Sequence, residues 1–393
     1  MIQQQLFIKQ SGNLHLCSFR PDLGNINLNT LGQVWQEGRV RPAINEMNKF
    51  KKRLKILKYR YDIFLRPLAL NHQIRLACFK IFSRLPGKIS LDTLEIGTTY
   101  NCQLDCQHCG IYGQKHPESY ELSLEEIKKI VTAASRLGAY LVVLSGGEPL
   151  LRNDIVALVS YITKNGIIAG ISTNGQAMSG NLARELKKSR LSFLNISLDS
   201  ANAASHDSFR GKTSCFDKAK AAILTCIDEK IAVIISMCLT KESIKNAQVD
   251  KIISLAKEWG ASGVRLMLPV PAGKWLGRED VTLSNKEREY VASLLDPSYV
   301  FIEGVCNKFS ECPAAYRRLL YISAYGDVQP CSFVPLSFGN IREKDLSEIW
   351  LRVMKHSLYQ EVEKSDCIMR HSSFYNNHIA PLRNKIGYLP VRI

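Results

Sequence analysis

Residues 99 to 109 read Thr-Tyr-Asn-Cys-Gln-Leu-Asp-Cys-Gln-His-Cys and place Cys102, Cys106 and Cys109 on one short stretch. The apolar run before it, from Leu94 to Gly97, predicts a short strand, so the cysteines lie on the loop that leaves this strand. Three thiolates on one flexible loop can wrap a single metal centre. Because three ligands are one short of the usual four, one position of that centre stays open for another molecule.

The spacing of these cysteines, Cys-x3-Cys-x2-Cys, leaves two other interpretations open. One is a structural zinc site with a distant fourth ligand, and the other is a set of three reduced core thiols. Zinc sites favour paired Cys-x2-Cys units, and this stretch contains one such pair. The spacing therefore favours an open iron–sulfur site over zinc.

A second motif, Gly-Gly-Glu-Pro at residues 146 to 149, follows further along the chain. Together the two motifs resemble the radical S-adenosylmethionine (radical SAM) superfamily, and the similarity runs through roughly residues 92 to 270. The resemblance implies that Cys102, Cys106 and Cys109 hold three irons of a [4Fe–4S] cluster, whose fourth iron binds S-adenosylmethionine. It also implies reductive cleavage of that cofactor to a 5′-deoxyadenosyl radical, which abstracts hydrogen from a substrate.

The same resemblance implies a set of cofactor-binding residues at the strand ends: His108, Gly146, Gly147, Glu148, Asn174 and Ser197. The glycine turn would receive the amino group of the cofactor, and Ser197 would lie near its ribose and carboxylate. Each of these residues also has a structural interpretation. His108 could be an ordinary loop histidine, the Gly-Gly-Glu motif could be a tight turn, and Asn174 and Ser197 could be polar strand ends that cap the next helix. The last of these alternatives applies to Asp199 as well.

Strand and helix patterns alternate from residue 92 onward and predict a parallel α/β sheet. The predicted strands are 94–97, 140–144, 168–173, 193–198, 232–239 and 263–268, and the predicted helices are 123–138, 154–165, 181–188, 216–229 and 246–259. The superfamily's partial (β/α)6 barrel fits six such units, with its active site at the carboxyl ends of the strands. Arg265 could face the barrel interior, paired with a substrate or cofactor carboxylate or in a structural ion pair.

A region of different character follows the predicted core, which spans residues 89–275. Residues 276–393 contain four cysteines, Cys306, Cys312, Cys331 and Cys367, and a predicted hairpin of residues 319–323 and 328–333. This region resembles the small hairpin-plus-helix domain called twitch or SPASM, which implies a second, auxiliary [4Fe–4S] cluster. Since no Cys-x2-Cys unit follows Cys331, we expect one auxiliary cluster, with a four-cysteine zinc site as the alternative.

The N-terminal extension has two parts. Residues 1–48 are predicted to form a partial SPASM-like repeat. A glycine, a cysteine, Gly-Asn-Ile and a tryptophan occur there in the same order as near the C-terminus: at 12, 17, 24–26 and 35, and again at 326, 331, 339–341 and 350.

Residues 49–88 carry twelve basic residues against the single acid Asp62 and predict basic amphipathic helices. Such helices can contact an anionic membrane surface or an acidic partner, although a solvated helix face explains the same pattern.

The composition sets limits on the function. The chain has 393 residues, a net charge of +16 and an ordinary apolar fraction of 46%, and its N-terminus lacks the form of a signal peptide, so we expect a cytoplasmic location. Charge alone would permit nucleic-acid binding, but no recognised module supports it.

The sequence therefore predicts a radical SAM oxidoreductase or maturase. It would act on a peptide or a small molecule by oxidation, cross-linking or epimerisation, with a one-electron donor such as a flavodoxin or ferredoxin. The alternative is a non-catalytic zinc- or iron–sulfur-binding protein.

Overall fold

The computed structural model describes residues 91–116, 119–296, 298–302, 312–360, 367–385 and 389–393, together with three short strands near the N-terminus. The chain forms two compact units, Met1–Tyr61 and Asp62–Ile393. The predicted basic helices of residues 49–88, Cys306 and most of residues 1–48 lie outside the described residues.

In the N-terminal unit the three strands form a small antiparallel sheet. They are β1 Phe7–Ile8, β2 Asn13–His15 and β3 Gly24–Asn25. In this sheet Leu14 pairs with Ile8 on one side and with Gly24 on the other.

The second unit is built on a parallel sheet whose six core strands form where the sequence predicts them. They are β4 Thr93–Thr99, β5 Leu141–Gly146, β6 Ile168–Thr173, β7 Phe193–Ser197, β8 Ala232–Cys238 and β9 Gly263–Met267. Each strand pairs in parallel with the next one along the chain. The predicted parallel α/β fold is therefore confirmed.

Helices connect these strands: α1 Leu124–Leu137, α2 Ile155–Lys164, α3 Gly180–Lys188, α4 Ala203–Arg210, α5 Cys215–Asp228, α6 Lys241–Lys245 and α7 Gln248–Glu258. The first has the predicted capping box of Ser123 and Glu126 and ends at Gly138, whose φ of 105° favours glycine. The sequence analysis did not predict α4 or α6, which begin at the side-chain caps Asn202 and Thr240. None of the helices in the described residues is long and apolar enough to cross a bilayer.

The two faces of the sheet have different surroundings because side chains alternate along each strand. Outward residues such as Leu94, Ile96 and Leu144 belong to the main core that packs against the helices. Inward residues near the amino ends of the strands form a smaller cluster, the apolar plug, made of Ile168, Phe193, Ala232 and Ile234 with Tyr140, Leu141, Val143 and Phe301 beside it. The plug closes the amino end of the barrel interior.

The C-terminal region extends the same sheet at both edges, which the sequence did not predict. The remaining elements are α8 Asn285–Ser293, β10 Val300–Ile302, β11 Leu319–Ile322, β12 Val328–Gln329, β13 Leu336–Ser337, α9 Leu346–Lys355, α10 Ser372–Phe374 and β14 Val391–Arg392. The sheet order is β10-β9-β8-β7-β6-β5-β4-β11-β12. The predicted hairpin forms as β11 and β12, and its first strand pairs in parallel with β4.

The N-terminal sheet and this hairpin share one pairing register. Phe7 pairs with His15 as Tyr321 pairs with Gln329, and the offset is eight residues in both cases. The third strand corresponds less closely: Asn13 pairs with Asn25, twelve residues later, whereas Asp327 pairs with Asn340, thirteen residues later. The assignment of residues 1–48 as a partial repeat stays a prediction, and this register supports it.

Phe193 offers a test of the apolar plug. Its ring is 1% exposed and lies over Gly170, where an added Cβ would stand 2.3 Å from the ring. Phe193→Ala should lower the free energy of unfolding by about 3–5 kcal/mol, since it leaves a cavity between strands. Denaturant titration measures the change. Leu351→Ala, on an exposed helix face, is the control and should change it by less than about 0.5 kcal/mol.

Candidate metal and cofactor site

The three clustered cysteines lie on the loop that leaves β4, as predicted. Cys102 is exposed, and Cys106 and Cys109 are half-buried. Burial raises the pKa of the Cys102 thiol and raises that of Cys109 to about 11, and the charges of the neighbouring cysteines raise both further. Three thiolates can therefore coexist here only beside a compensating positive centre.

Hydrogen-bond donors approach the sulfur atoms and provide a test of the fit to an iron–sulfur cluster. Asn174 Nδ2 lies 3.6 Å from the Cys102 sulfur, and Arg210 Nη1 lies 3.7 Å from the Cys106 sulfur. Backbone amides of Leu104 and Ile111 donate to Cys102 and Cys109. Such donors stabilise thiolate ligands and tune a bound cluster, so the residues present fit this group.

A single metal ion fits less well. Zn–S bonds of about 2.3 Å would bring the sulfur ligands of one zinc ion to about 3.8 Å from each other. Among the described residues, no three His, Cys, Asp or Glu side chains are grouped to hold one ion. A four-iron cluster carries each sulfur on a separate iron, and its ligands stand further apart.

Two distant segments fix the shape of the cysteine loop. At the end of α4, Phe209 and Arg210 accept backbone hydrogen bonds from Gln107 and Asp105, at 2.9 and 3.2 Å. The adjacent Gly211 has a φ of +71°, and a Cβ there would stand 2.5 Å from the carbonyl oxygen of Asp105. After β9, the amide of Lys274 donates to the carbonyl of Cys109 at 3.0 Å.

The glycine turn after β5 packs directly on the start of the cysteine loop. Gly147 donates its amide to the carbonyl of Thr99 at 2.7 Å, and Glu148 donates to the carbonyl of Asn101 at 2.8 Å. A Cβ on Gly146 would stand 2.3 Å from the Thr99 oxygen, and one on Gly147 would stand 2.3 Å from the Asn101 oxygen. The two glycines are thus required because two backbones meet, whatever ligand binds beside them.

The carboxylate of Glu148 is fully buried and joins this turn to the end of β6. It accepts hydrogen bonds from Thr173 Oγ1 at 2.6 Å, from the Asn174 amide at 2.8 Å and from the Leu150 amide at 3.0 Å. Burial raises its pKa, although these three donors act in the opposite direction. Its side chain therefore positions Asn174 beside Cys102.

A buried charge cluster that the sequence analysis did not assemble supports the cysteine loop from the other side. Arg210 Nε donates to Asp199 Oδ2 at 2.6 Å, and the other oxygen of Asp199 accepts from the Cys238 amide at 2.9 Å. Burial alone would raise the pKa of Asp199, but the charge of Arg210 holds it below its ordinary value. Asp199 does not cap the following helix, because Asn202 does.

His108 stacks on Phe209, with ring centroids 4.5 Å apart and planes 6° from parallel. Burial lowers its pKa to about 3, so the ring is neutral at physiological pH. It borders a cleft at the carboxyl ends of β8 and β9, whose other walls include Cys238, Met267 and Trp275. Ser197 ends the neighbouring strand β7, pairs in register with Ser236, and is half-buried.

The late cysteines form a second group. Cys312, Cys331 and Cys367 interact with one another, and the Cys367 thiol donates to the Cys312 sulfur, which lowers the pKa of Cys312. Backbone amides of Ala314 and Phe333 also donate to sulfur in this group. These contacts fit thiolate ligation of a cluster, and the predicted fourth ligand, Cys306, lies outside the described residues.

Hydrogen bonds connect the two cysteine groups. Gln114 Oε1 accepts from Tyr100 Oη at 3.2 Å and from Gln329 Nε2 at 3.1 Å, and Gln114 Nε2 donates to the carbonyl of Ser332 at 3.4 Å. Tyr100 comes two residues before Cys102, and Ser332 directly follows Cys331.

Sequence reasoning missed Arg210 and Trp275 as parts of the site. For Arg210 a signal was present, because Asn202 and Gly211 are the cap residues expected at the two ends of a short helix. Trp275 lies in a turn after β9 whose position no local pattern predicts.

Comparison with known proteins agrees with this geometry. The family model described as the radical SAM superfamily matches residues 96–253, and the model of the iron–sulfur cluster-binding SPASM domain matches residues 312–371. AdoMet-dependent heme synthase of Methanosarcina barkeri is 26% identical over 280 residues, which cover 64% of this chain and 80% of the relative. Mycofactocin maturase MftC of Mycolicibacterium smegmatis is 35% identical over 182 residues, 45% of this chain and 44% of the relative.

Among solved structures, Streptococcus suis SuiB bound to its precursor peptide SuiA superimposes with a TM-score of 0.54 at 20% identity, and the match covers 71% of this chain and 67% of SuiB. At that identity the likeness concerns the fold alone. The two family models account for both cysteine groups and for the glycine turn. The chain thus belongs to the radical SAM superfamily, as an enzyme with a C-terminal SPASM domain.

Proposed function

We propose that this radical SAM enzyme abstracts hydrogen from a carbon atom of a peptide or small-molecule substrate, with oxidation, cross-linking or epimerisation as the outcome. The observation that carries the proposal is the direct backbone contact between the glycine turn and the cysteine loop. This contact supports the proposal because it brings the cysteine loop next to the strand ends that we expect to receive S-adenosylmethionine.

When bound, the cluster and S-adenosylmethionine supply a 5′-deoxyadenosyl radical by one-electron cleavage of the carbon–sulfur bond. The protein's residues would hold and orient that chemistry. Cys102, Cys106 and Cys109 would ligate iron, while Asn174 and Arg210 donate to their sulfurs. Gly146 and Gly147 would present the turn to the cofactor's amino group, with Glu148 as a positioning residue.

Two more residues complete the proposed cofactor site. His108, neutral and stacked on Phe209, would border the adenine, and Ser197 would approach the ribose and carboxylate. The fixed stacking of His108 supports this role, because a ring already held in place costs little entropy when a planar ligand packs beside it.

The SPASM domain suggests an auxiliary iron–sulfur cluster, and we assign it to Cys312, Cys331 and Cys367 with Cys306 as fourth ligand. Fully protein-ligated iron has no open position for substrate. The assignment therefore favours electron transfer from the substrate radical, and thus a net oxidation or bond formation.

We propose two classes of substrate, a small molecule and a peptide. The similarity to AdoMet-dependent heme synthase supports a small molecule, and the fold likeness to SuiB, whose structure contains its precursor peptide, supports a peptide.

For the electron donor we propose an acidic flavodoxin or ferredoxin. Cys102 is exposed, and the exposed side chains of Lys115 and Lys212 donate to Asn101 and Gln103 on either side of it. Their positive charge would attract a negatively charged partner to the point where the cluster lies nearest the surface. Contact of residues 49–88 with a membrane or an acidic partner also stays a prediction.

Joint replacement of Cys102, Cys106 and Cys109 by alanine tests both cysteine groups. After anaerobic reconstitution and reduction, we expect no 5′-deoxyadenosine, while about four irons per chain remain at the late cysteines. Chromatography measures 5′-deoxyadenosine, and elemental analysis measures the iron content. Cys226→Ala, at a buried thiol within the core, is the control and should retain both 5′-deoxyadenosine formation and the full iron content. No remaining iron would refute the auxiliary cluster, and zinc in its place would support the zinc alternative.

Asn174→Ala tests the contact to Cys102. An N–H donor near a sulfur ligand stabilises the more negative, reduced cluster, so its loss should lower the midpoint potential by about 40 mV. Redox titration followed by electron paramagnetic resonance measures this shift. Asn165→Ala, which removes a surface side chain bonded to its own helix, should leave the potential unchanged. An unchanged potential in Asn174→Ala would contradict the proposed hydrogen bond from Asn174 to a cluster-bound Cys102.

A further inference from the structure

We propose that the Tyr359 hydroxyl and the Arg317 guanidinium donate hydrogen bonds to the cluster that we assign to the late cysteines, and that both side chains raise its reduction potential. This inference rests on the proposed function and deepens it, because it names residues that control the electron transfer assigned to the auxiliary cluster. Neither residue is a proposed iron ligand, and both lie outside the motifs of the core.

Arg317 lies in the turn that follows Cys312. The amide of Tyr316 donates to the carbonyl of Cys312 at 3.1 Å, and the amide of Arg317 donates to the carbonyl of Ala314 at 2.9 Å. Arg317 has a φ of 56°, a left-handed conformation that a bulky residue rarely adopts and that glycine adopts without strain. The chain therefore keeps an arginine where the backbone favours glycine, which indicates a role for the side chain.

Tyr359 lies in a short 3₁₀ helix, Ser357–Gln360, and its ring contacts Arg317. The residue is 6% exposed, and its ring stacks on Phe338 with centroids 6.0 Å apart and planes 14° from parallel. The guanidinium carbon of Arg317 stands 5.4 Å from the ring centroid of Tyr359. The two side chains thus form a pair in which a cation lies against an aromatic ring.

Each member of this pair has a buried hydrogen-bond donor without a partner. Tyr359 Oη and Arg317 Nε make no hydrogen bond in the part of the chain that the structure describes, whereas Arg317 Nη1 donates to the carbonyl of Met354. A buried donor that lacks an acceptor is costly, and such a group in a native protein usually has an explanation. Two of them in one pair indicate an acceptor that the chain itself does not supply.

The late cysteines lie close to the pair. Burial raises the pKa of the Tyr359 phenol, and the charges of Cys331 and Cys312 raise it further. The charge of Arg317 acts in the opposite direction. Because the phenol stays protonated at physiological pH, it is available as a donor. A cluster held by cysteine thiolates is an anion with sulfur acceptors, so it would satisfy both donors and balance the guanidinium charge.

Both donors would favour the reduced form of this cluster. Reduction adds one negative charge, and a hydrogen bond or a nearby cation stabilises the more negative state. A higher potential makes the site a better acceptor for the single electron that the substrate radical loses in the proposed oxidation. The pair would therefore adjust the late cysteines to the role that we propose for them.

Ordered water is another acceptor that could satisfy the two donors. Donors that are bonded to water alone would have little influence on the potential of a cluster. The reduction potential therefore separates the two acceptors, and it does not depend on turnover of a substrate.

The test uses the anaerobically reconstituted holoenzyme. A full-length chain in which Cys102, Cys106 and Cys109 are replaced by alanine identifies the electron paramagnetic resonance signal of the late cysteines. Tyr359→Phe removes only the hydroxyl and should make one-electron reduction of the late cluster about fivefold less favourable. At about 59 mV per tenfold change, this is a fall of about 40 mV in midpoint potential, which redox titration measures.

Tyr299→Phe is the matched control. Tyr299 also has a buried hydroxyl without a partner in the described residues, and Lys257 Nζ lies 5.6 Å from its ring centroid. Tyr299 precedes β10, at the opposite edge of the sheet from β12, and burial alone raises its pKa to about 12. Its replacement should leave the potential unchanged.

Two variants test the guanidinium. Arg317→Gln removes the charge and should lower the potential at least as far as Tyr359→Phe does. Arg317→Lys keeps the charge without the Nε donor and should restore part of the loss. Pulsed electron paramagnetic resonance after reconstitution in deuterium oxide adds a direct readout, because the deuterium coupling of the reduced late cluster should weaken in Tyr359→Phe and persist in Tyr299→Phe.

An unchanged potential in Tyr359→Phe would overturn the inference, since the hydroxyl would then donate to bound water. Zinc at the late cysteines, or no metal there, would overturn it as well. Formation of 5′-deoxyadenosine by the wild type is measured in parallel. If it forms in any of these cases, the role of Tyr359 and Arg317 fails while cleavage of S-adenosylmethionine stands.

Discussion

The contact on which the site depends is a pair of backbone hydrogen bonds between the glycine turn and the first residues of the cysteine loop. Gly147 and Glu148 reach the carbonyls of Thr99 and Asn101, and neither glycine position has room for a Cβ. Since both segments leave adjacent parallel strands, the sheet brings them together before any ligand is present. Glu148 accepts a hydrogen bond from the amide of Asn174 and so fixes the position of that residue. On the other side, α4 and Lys274 hold the cysteine loop by backbone hydrogen bonds.

Much of this arrangement could be predicted from the sequence. The core strands are short apolar runs bounded by glycine and polar residues, and a parallel sheet places their carboxyl ends along one edge. The spacing of Cys102, Cys106 and Cys109 is local information that no tertiary contact alters. For these reasons the strand positions, the helix begun by Ser123 and the position of each motif after its strand agree with the structure.

Other parts depend on contacts between residues that are distant in sequence. Arg210 contacts Asp199 and Cys106 only because α4 packs against the cysteine loop. The sequence around a single charged residue does not indicate which distant residue it will pair with. The pairing of β11 with β4 is similar, because the edge of a sheet offers hydrogen bonds to any extended segment of suitable length.

The pairing of β11 with β4 also determines how the two cysteine groups behave as a pair. The loop with Cys102 leaves β4, the turn with Cys331 follows β12, and β11 joins β12 to β4 through continuous hydrogen bonding. No hinge separates the two groups within these described strands, and the bonds made by Gln114 brace the gap from the side. Electrons exchanged between clusters bound at the two groups would therefore cross a constant distance. The rate of electron transfer would depend on the difference between the two reduction potentials and would not require a domain movement.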